Sequence, residues 1–236
     1  MIEFINIYKS YGDRRVLENI SFQLENTGVV GLLGNNGEGK TTLLKLITGF
    51  HCPTQGEVKI NGFSTCRDLP KALGFLGYLP ESSPLYPGLT VRQCLAFSYK
   101  IKTGRSDFES SAGNIIRKLN LKDVENTKVE LLSHGYRQRT ALGMSLVNNP
   151  KILVLDEPTN GLDPRQIVET RNLITEYGKD NLVIFSTHNI HEVILSCSRV
   201  LILHKGSVIV SGTPEELLER YKKDSLEEVF IECTKN

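Results

Sequence analysis

The chain has 236 residues, of which 39% are apolar and 23% are charged, and its formal net charge at pH 7 is +1. This length and composition exclude a wholly disordered chain, because enough apolar side chains are present for one large domain or two closely associated subdomains. The small net charge provides no general attraction to nucleic acid or to anionic membranes, so partners have to be argued from individual sites.

The N-terminus, MIEFINIYKSYG, lacks the basic start, apolar stretch and cleavage site of a signal peptide. No window approaches the ~18 apolar residues of a membrane span, so we expect any membrane association to go through a partner. The cysteines are scattered and without metal-ligand spacing, and we expect them to be reduced thiols in a cytosolic protein. They are Cys52, Cys66, Cys94, Cys197 and Cys233.

Short runs rich in Val, Ile and Leu recur along the chain and predict the strands of a sheet. Their continuous apolar character is typical of parallel strands that helices bury on both faces. Helical patterning follows the first run over 42–48 and separates two others over 164–177. The sequence therefore predicts an α/β fold with a mostly parallel sheet. The runs are VVGLL at 29–33, ILVLD at 152–156, LVIFS at 182–186 and VLILH at 200–204.

Three other stretches differ from this core in their patterning. The first 25 or so residues alternate partially around the turn GDRR, which predicts a small antiparallel β-subdomain. Residues 84–150 have helical spacing and predict a helical insertion subdomain, and 214–236 predict a helical tail. Within a single domain spanning 1–236, the α/β core would then comprise 1–83 and 151–213.

The segment GNNGEGKTT at 34–42 matches G-x-x-x-x-G-K-[ST] and lies between a predicted buried strand and a predicted helix. Backbone N–H groups in such a loop cradle phosphate oxygens at the helix N-terminus. Lys40 would reach the β- and γ-phosphates, and the Thr41 hydroxyl would be a Mg²⁺ ligand. The predicted phosphate contacts are Gly34, Asn35, Asn36, Gly37, Glu38, Gly39, Lys40, Thr41 and Thr42.

Two adjacent carboxylates, Asp156 and Glu157, end the predicted strand ILVLD. By themselves they are compatible with a solvated turn. With a phosphate loop on another strand, the better interpretation makes Asp156 a Mg²⁺ ligand and Glu157 the base that orients or activates a hydrolytic water.

The segments LSHGYRQR at 132–139 and STH at 186–188 complete a set that resembles the ATP-binding-cassette (ABC) family over nearly the whole chain. The resemblance implies a P-loop NTPase core with ATP and Mg²⁺ as cofactors. It also implies that Ser133 and the Gly135 backbone contact the γ-phosphate of ATP held by a second protomer, with a helix beginning near Gly135. His188 matches the family's switch histidine and is assigned, with Lys40 and Glu157, to catalysis.

Three further residues are carried over from the same resemblance. Asp163, in GLD, matches a loop that couples the two sites of the dimer, and Tyr11 matches the aromatic residue that stacks on adenine. Glu81, in GYLPE, stands where the family usually has a glutamine near Mg²⁺ and the membrane partner. A carboxylate can still approach Mg²⁺, but it cannot donate a hydrogen bond as an amide does.

Glu38 and His134 also depart from the family's usual residues. A carboxylate ~8 Å from a phosphate costs roughly 1 to 2 kcal/mol per unit charge at a dielectric of ~20 to 40, which Lys40 and Mg²⁺ should outweigh. We hypothesise that Glu38 pairs with His134 or Arg137 across a closed dimer; the alternative is a solvated glutamate.

The resemblance favours an ATPase subunit of a bacterial ABC exporter with a separate permease, working as a homodimer of nucleotide-binding domains. It would lie in the cytoplasm on the inner face of the membrane, held there by the permease, with no nucleic acid as partner. One alternative is an ABC protein associated with nucleic acid or the ribosome, although such relatives typically have two cassettes or a coiled coil. Another is a regulatory ATP-binding module with little turnover.

Overall fold

The computed structural model describes residues 1–235, the side chains at 110 and 111 excepted. The strands of this part of the chain are β1 (Ile2–Tyr11), β2 (Arg14–Leu24), β3 (Gly28–Leu33), β4 (Gln55–Ile60), β5 (Phe63–Ser64), β6 (Leu76–Leu79), β7 (Ile152–Asp156), β8 (Leu182–Thr187), β9 (Arg199–His204) and β10 (Ser207–Gly212). The α-helices are α1 (Lys40–Ile47), α2 (Leu69–Leu73), α3 (Val91–Thr103), α4 (Glu109–Lys118), α5 (His134–Leu146), α6 (Pro164–Gly178), α7 (Ile190–Ser196), α8 (Pro214–Tyr221) and α9 (Leu226–Cys233).

The larger sheet has six strands in the order β10-β9-β3-β8-β7-β6, and all neighbours except β10 and β9 are parallel. Every residue of β7 and β8 is buried, which explains their continuous apolar sequences. Because the parallel strands point the same way, the segments that follow β3, β7 and β8 meet at one edge of the sheet. The predicted α/β fold is confirmed.

The smaller sheet is antiparallel, with strands in the order β2-β1-β4-β5. Its first two strands confirm the predicted N-terminal β-subdomain, and buried side chains such as Ile2, Ile7 and Ile20 join a core shared with α1 and the larger sheet. The short strands β4, β5, β6 and β10 were not predicted. Their apolar runs are brief, and turns interrupt them.

The segment that was predicted to be helical contains α3, α4 and α5, and the apolar faces of these helices pack together. Thr90 forms a capping box at the start of α3, and Ser133 caps α5. The division of the chain at 84–150 stays a prediction.

The predicted C-terminal helices are α8 and α9, each capped by a hydroxyl side chain at its start. Leu217, Leu226 and Val229 are buried against β9 and β10. Among the described residues, no helix is long and apolar enough to cross a membrane.

The expectation of five reduced thiols is wrong for one pair, because Cys52 and Cys66 form a disulfide with a Cα–Cα distance of 5.7 Å. The β4–β5 hairpin lies between the two cysteines and reverses the direction of the chain. The segment before β4, which contains Cys52, therefore lies beside the segment after β5, which contains Cys66. The Thr65 hydroxyl fastens this arrangement by donating to the Leu46 carbonyl oxygen at 2.9 Å. Spacing in the sequence gives no sign of this proximity. The other three cysteines are free thiols.

Candidate functional site

The phosphate-binding motif forms the connection between β3 and α1, as predicted. Gly39 is the N-cap of α1 and has a φ of 104°, a conformation that a residue with a side chain adopts only under strain. A Cβ atom there would also lie 2.7 Å from Leu17 Cδ2. The motif therefore needs glycine at this position, and the first N–H groups of α1 lack partners within the helix and are available to an anion.

Lys40 is buried, and its ammonium group lies among the groups expected to act on the phosphates. Its Nζ donates to the Gly34 carbonyl oxygen at 2.7 Å and to that of Asn35 at 3.1 Å. The same nitrogen is 3.8 Å from Glu157 Oε1. Burial lowers the pKa of Lys40, and the charge of Glu157 is the largest of the opposing influences.

Thr41 and Asp156 come together although 115 residues separate them. The Thr41 hydroxyl donates to Asp156 Oδ1 at 3.2 Å, and the Ser186 hydroxyl donates to the same oxygen at 2.6 Å. A hydroxyl and a buried carboxylate are oxygen ligands of the kind that Mg²⁺ takes, so the residues fit this ion. No three His, Cys, Asp or Glu side chains within the described residues form a preformed metal site. Thr41 and Asp156 would supply two oxygen ligands of a bound Mg²⁺.

Glu157 directly follows β7 and has a φ of 48°, a strained value for a residue with a side chain. Its N–H donates to the Ser186 hydroxyl at 3.0 Å. His188 Nδ1 is 3.1 Å from both carboxylate oxygens of Glu157. Since an ionised carboxylate only accepts, this nitrogen carries the proton, and the pairing orients the Glu157 side chain.

These groups meet at a cleft of ≈ 450 Å³ at the edge of the larger sheet. Predicted residues that line it are Asn36, Gly37, Gly39, Lys40, Thr41, Thr42, Glu81, Glu157 and His188. The sequence analysis missed three other lining residues, Arg14, Val16 and Asn160. Arg14 follows the turn GD directly after β1, and its position in the antiparallel hairpin beside Tyr11 is the signal in the sequence that points to it. Ser186, which binds Asp156 and the Glu157 N–H, was missed as well, because it reads as part of a buried strand.

Tyr11 lies at the end of β1 and is 42% exposed. Its ring meets the His51 ring edge to face with centroids 5.5 Å apart, and Lys9 Nζ is 4.8 Å from its centroid. Tyr11 pairs in register with Arg14, so it borders the cleft without being one of the residues that line it. Its contact with adenine stays a prediction.

The signature residues lie on a different surface, at the starts of α5 and α6. The Ser133 hydroxyl accepts from the Tyr136 N–H at 3.5 Å, and Asp163 Oδ1 accepts from the Gln166 N–H at 2.9 Å. A Cβ atom on Gly135 would lie 2.3 Å from Gln166 Nε2, so a larger residue there would displace the end of the Gln166 side chain. Among the described residues that line the cleft, none belongs to this group.

The residues proposed for a contact across the dimer each have a partner in their own chain. His134 Nε2 is 3.4 Å from the Asn160 carbonyl oxygen, and Arg137 Nη2 donates to the Glu130 carbonyl oxygen at 3.0 Å. Glu38 is half-buried rather than solvated. A single chain does not test the pairing itself, which stays a prediction.

Comparison with known proteins identifies the family to which this chain belongs. The family model described as ABC transporter matches residues 17–160, which include the phosphate loop, the signature segment and both strand-end carboxylates.

Curated relatives agree with this match. The chain is 32% identical to the lipopolysaccharide export ATP-binding protein LptB of Haemophilus influenzae, over 95% of this chain and 96% of that one. It is 33% identical to the spermidine/putrescine import ATP-binding protein PotA of Legionella pneumophila, over 93% of this chain and 61% of that one. It spans only 32% of a longer relative from Dictyostelium discoideum.

A solved structure points the same way. The ATP-binding cassette MJ0796, as a post-hydrolysis dimer bound to ADP and Pi, superposes with a TM-score of 0.82 at 25% identity, covering 90% of this chain and 98% of that one. The chain therefore belongs to the ABC transporter family, among its ATP-binding subunits, which are ATPases.

Proposed function

We propose that this chain powers a membrane permease that is a separate protein, and that it works as a homodimer closed by ATP. The observation that carries the proposal is the separation of two groups of residues. Lys40, Glu157 and His188 meet at the cleft, whereas Ser133 and Gly135 lie at the start of α5, outside it. A twofold-symmetric dimer of antiparallel chains would bring the α5 start of each chain to the cleft of the other.

Within the cleft, the proposed roles follow from charge and hydrogen bonding. Lys40 binds the β- and γ-phosphates, and the Glu157 carboxylate accepts a proton from the attacking water. His188, which donates to Glu157, holds that carboxylate and the water in place. Tyr11 stacks on adenine at the border of the cleft.

Thr41 and Asp156 would hold Mg²⁺, and Glu81 would approach it from the cleft wall. Mg²⁺ when bound neutralises charge on the phosphate oxygens. The Ser186 hydroxyl keeps Asp156 oriented toward Thr41, so the carboxylate is already placed for its role.

On the facing chain, Ser133 and the Gly135 N–H would contact the γ-phosphate, aided by the positive N-terminal end of α5. Asp163 would couple the two sites through the start of α6. ATP would hold the two chains together, and hydrolysis would separate them. This cycle explains how an exposed helix start becomes part of an active site.

We further propose that the permease exports its substrate and holds this chain at the inner face of the membrane. The relative LptB, whose name states export, supports this direction, as do the segments GYLPE and SLEEVFIECT, which resemble exporter subunits. Because the name of another relative, PotA, states import, the direction of transport has to be measured.

The test is purification of the tagged chain from gently solubilised membranes of its host. We expect a multi-span membrane protein to copurify in a stable ratio and to stimulate Mg²⁺-dependent ATP hydrolysis. Inside-out vesicles containing both proteins should take up the cargo with ATP if the complex exports. Recovery with ribosomes or nucleic acid, and without a membrane protein, would overturn the proposal.

A further inference from the structure

Glu38 occupies a variable position of the phosphate loop, but its carboxylate contacts the turn between β9 and β10. His204 Nδ1 donates to Glu38 Oε1 at 3.1 Å, and the backbone N–H of Lys205 donates to Oε2. The Glu38 and His204 side chains are each 15% exposed. Both carboxylate oxygens are therefore engaged away from the cleft, in a setting that excludes most water.

The turn that holds Glu38 is itself fixed against β2. Lys205 and Gly206 have φ values of 45° and 78°, as a two-residue hairpin turn requires. A Cβ atom on Gly206 would lie 2.4 Å from the Val16 carbonyl oxygen, so the turn touches β2 closely. The Glu18 N–H donates to the Gly206 carbonyl oxygen at 2.8 Å. The turn is thus firmly seated between the phosphate loop and β2.

Glu38 therefore links two walls of the cleft. One wall is the phosphate loop, and the other includes Val16, which lies beside the turn and lines the cleft. Because the loop binds through backbone N–H groups, a shift of a few tenths of an ångström weakens several hydrogen bonds at once.

We propose that Glu38 is a positioning residue for ATP binding: held by His204 and the Lys205 N–H, it fixes the phosphate loop against the β9–β10 turn. The inference rests on the ATP site proposed above. The gain in ATP binding from the positioned loop is then larger than the loss caused by repulsion between the Glu38 carboxylate and the phosphates.

Two substitutions separate positioning from charge. Glu38→Ala removes both hydrogen bonds together with the charge, and we expect it to raise the Kd and KM for MgATP about tenfold with little change in kcat. Glu38→Gln removes only the charge, since an amide can accept from Lys205 and still bond with His204. We expect Glu38→Gln to restore a Kd close to the wild-type value.

A double-mutant cycle tests the partner. His204→Ala should weaken MgATP binding less than Glu38→Ala does, because the Lys205 N–H remains. The double variant should be no weaker than Glu38→Ala alone. Glu18→Ala is the matched control. It removes a carboxylate beside the same turn, but the Glu18 side chain pairs with exposed Arg15 and not with the turn. Thermal unfolding of each variant shows whether the fold is intact.

The outcomes are distinct. A lower Kd for MgATP in Glu38→Ala than in the wild type would mean that repulsion between the carboxylate and the phosphates dominates. A Kd in Glu38→Gln as high as in Glu38→Ala would mean that the charge of Glu38 matters and its hydrogen bonds do not. Either result overturns the positioning role. If the effects of the Glu38 and His204 substitutions on the Kd were additive, His204 would have no part in positioning Glu38. Wild-type MgATP binding in Lys40→Ala would instead overturn the ATP site itself, and this inference with it.

Discussion

The cleft and the signature surface of this molecule differ in how their functional groups are held. At the cleft, Asp156 and Glu157 have partners from distant parts of the same chain, and Lys40 Nζ is 3.8 Å from Glu157 Oε1. At the signature surface, the Ser133 hydroxyl accepts a hydrogen bond from the first turn of its own helix and is exposed. One chain thus positions the groups of the cleft by itself, whereas the signature surface is an exposed helix start that we propose is completed by a second chain.

The largest expected effect is the loss of the cation in the cleft. Lys40→Ala should reduce both MgATP binding and hydrolysis by at least about a hundredfold, because a buried ammonium group that faces the phosphates is removed. Isothermal titration and phosphate release measure the two quantities. Lys45→Ala, on the same helix outside the cleft, is the control and should leave both unchanged. Equal losses in the two variants would point to a damaged helix α1 instead.

The next effect separates chemistry from binding within the cleft. Glu157→Gln should lower kcat about a thousandfold, because the amide cannot accept the proton of water. MgATP affinity should be preserved, since the amide still bonds with His188. The measurement is single-turnover hydrolysis with a parallel binding assay. Retained turnover would take the base role away from Glu157.

A substitution on the signature surface should behave differently from either. Ser133→Arg should leave binding of MgATP to the single chain unchanged, but lower turnover roughly tenfold to a hundredfold by blocking closure of the dimer. Light scattering with and without ATP measures closure. Ser225→Arg, at the hydroxyl cap of α9, controls for the loss of a helix cap. If single chains of Ser133→Arg bound MgATP more weakly than the wild type, the signature surface would contribute to binding within one chain, and the proposed difference between the two surfaces would be wrong.

The smallest effect is expected behind the cleft. Ser186→Ala removes one of the two hydroxyl donors to Asp156 and the acceptor of the Glu157 N–H, so it should cost about 1 to 3 kcal/mol of unfolding free energy and lower kcat by up to about tenfold. Ser145→Ala removes another buried hydroxyl, which donates to the Leu142 carbonyl oxygen, and serves as the control. We expect a similar stability loss there with kcat unchanged.

The elements that were predicted from sequence are those that carry a local signal. The strand β7 covers the predicted run at 152–156, and Gly39 and Lys40 occupy the turn that their motif requires. The candidate residues of the cleft were found because each belongs to a motif with its own spacing.

What the sequence did not reveal depends on contacts between distant segments. Ser186 reads as one more residue of a buried strand until β7 and β8 are aligned and Asp156 faces it. Glu38 reads as solvated until the β9–β10 turn is brought against the phosphate loop. The Cys52–Cys66 disulfide is hidden for the same reason. Burial and pairing across the fold decide these roles, and local patterns contain little of that information.

The central claim, that each active site takes its cleft from one chain and its signature from the other, can be tested with a mixed dimer. Chains carrying Lys40→Ala and chains carrying Ser133→Ala, which removes the hydroxyl without adding bulk at the interface, would be given different tags, coexpressed and isolated as heterodimers. In such a dimer one site has an intact cleft and an intact signature, while the other contains both substitutions. Homodimers of each variant should hydrolyse ATP well below the wild-type rate, and the heterodimer should reach roughly half of the wild-type rate. A heterodimer as slow as the slower homodimer would contradict the claim.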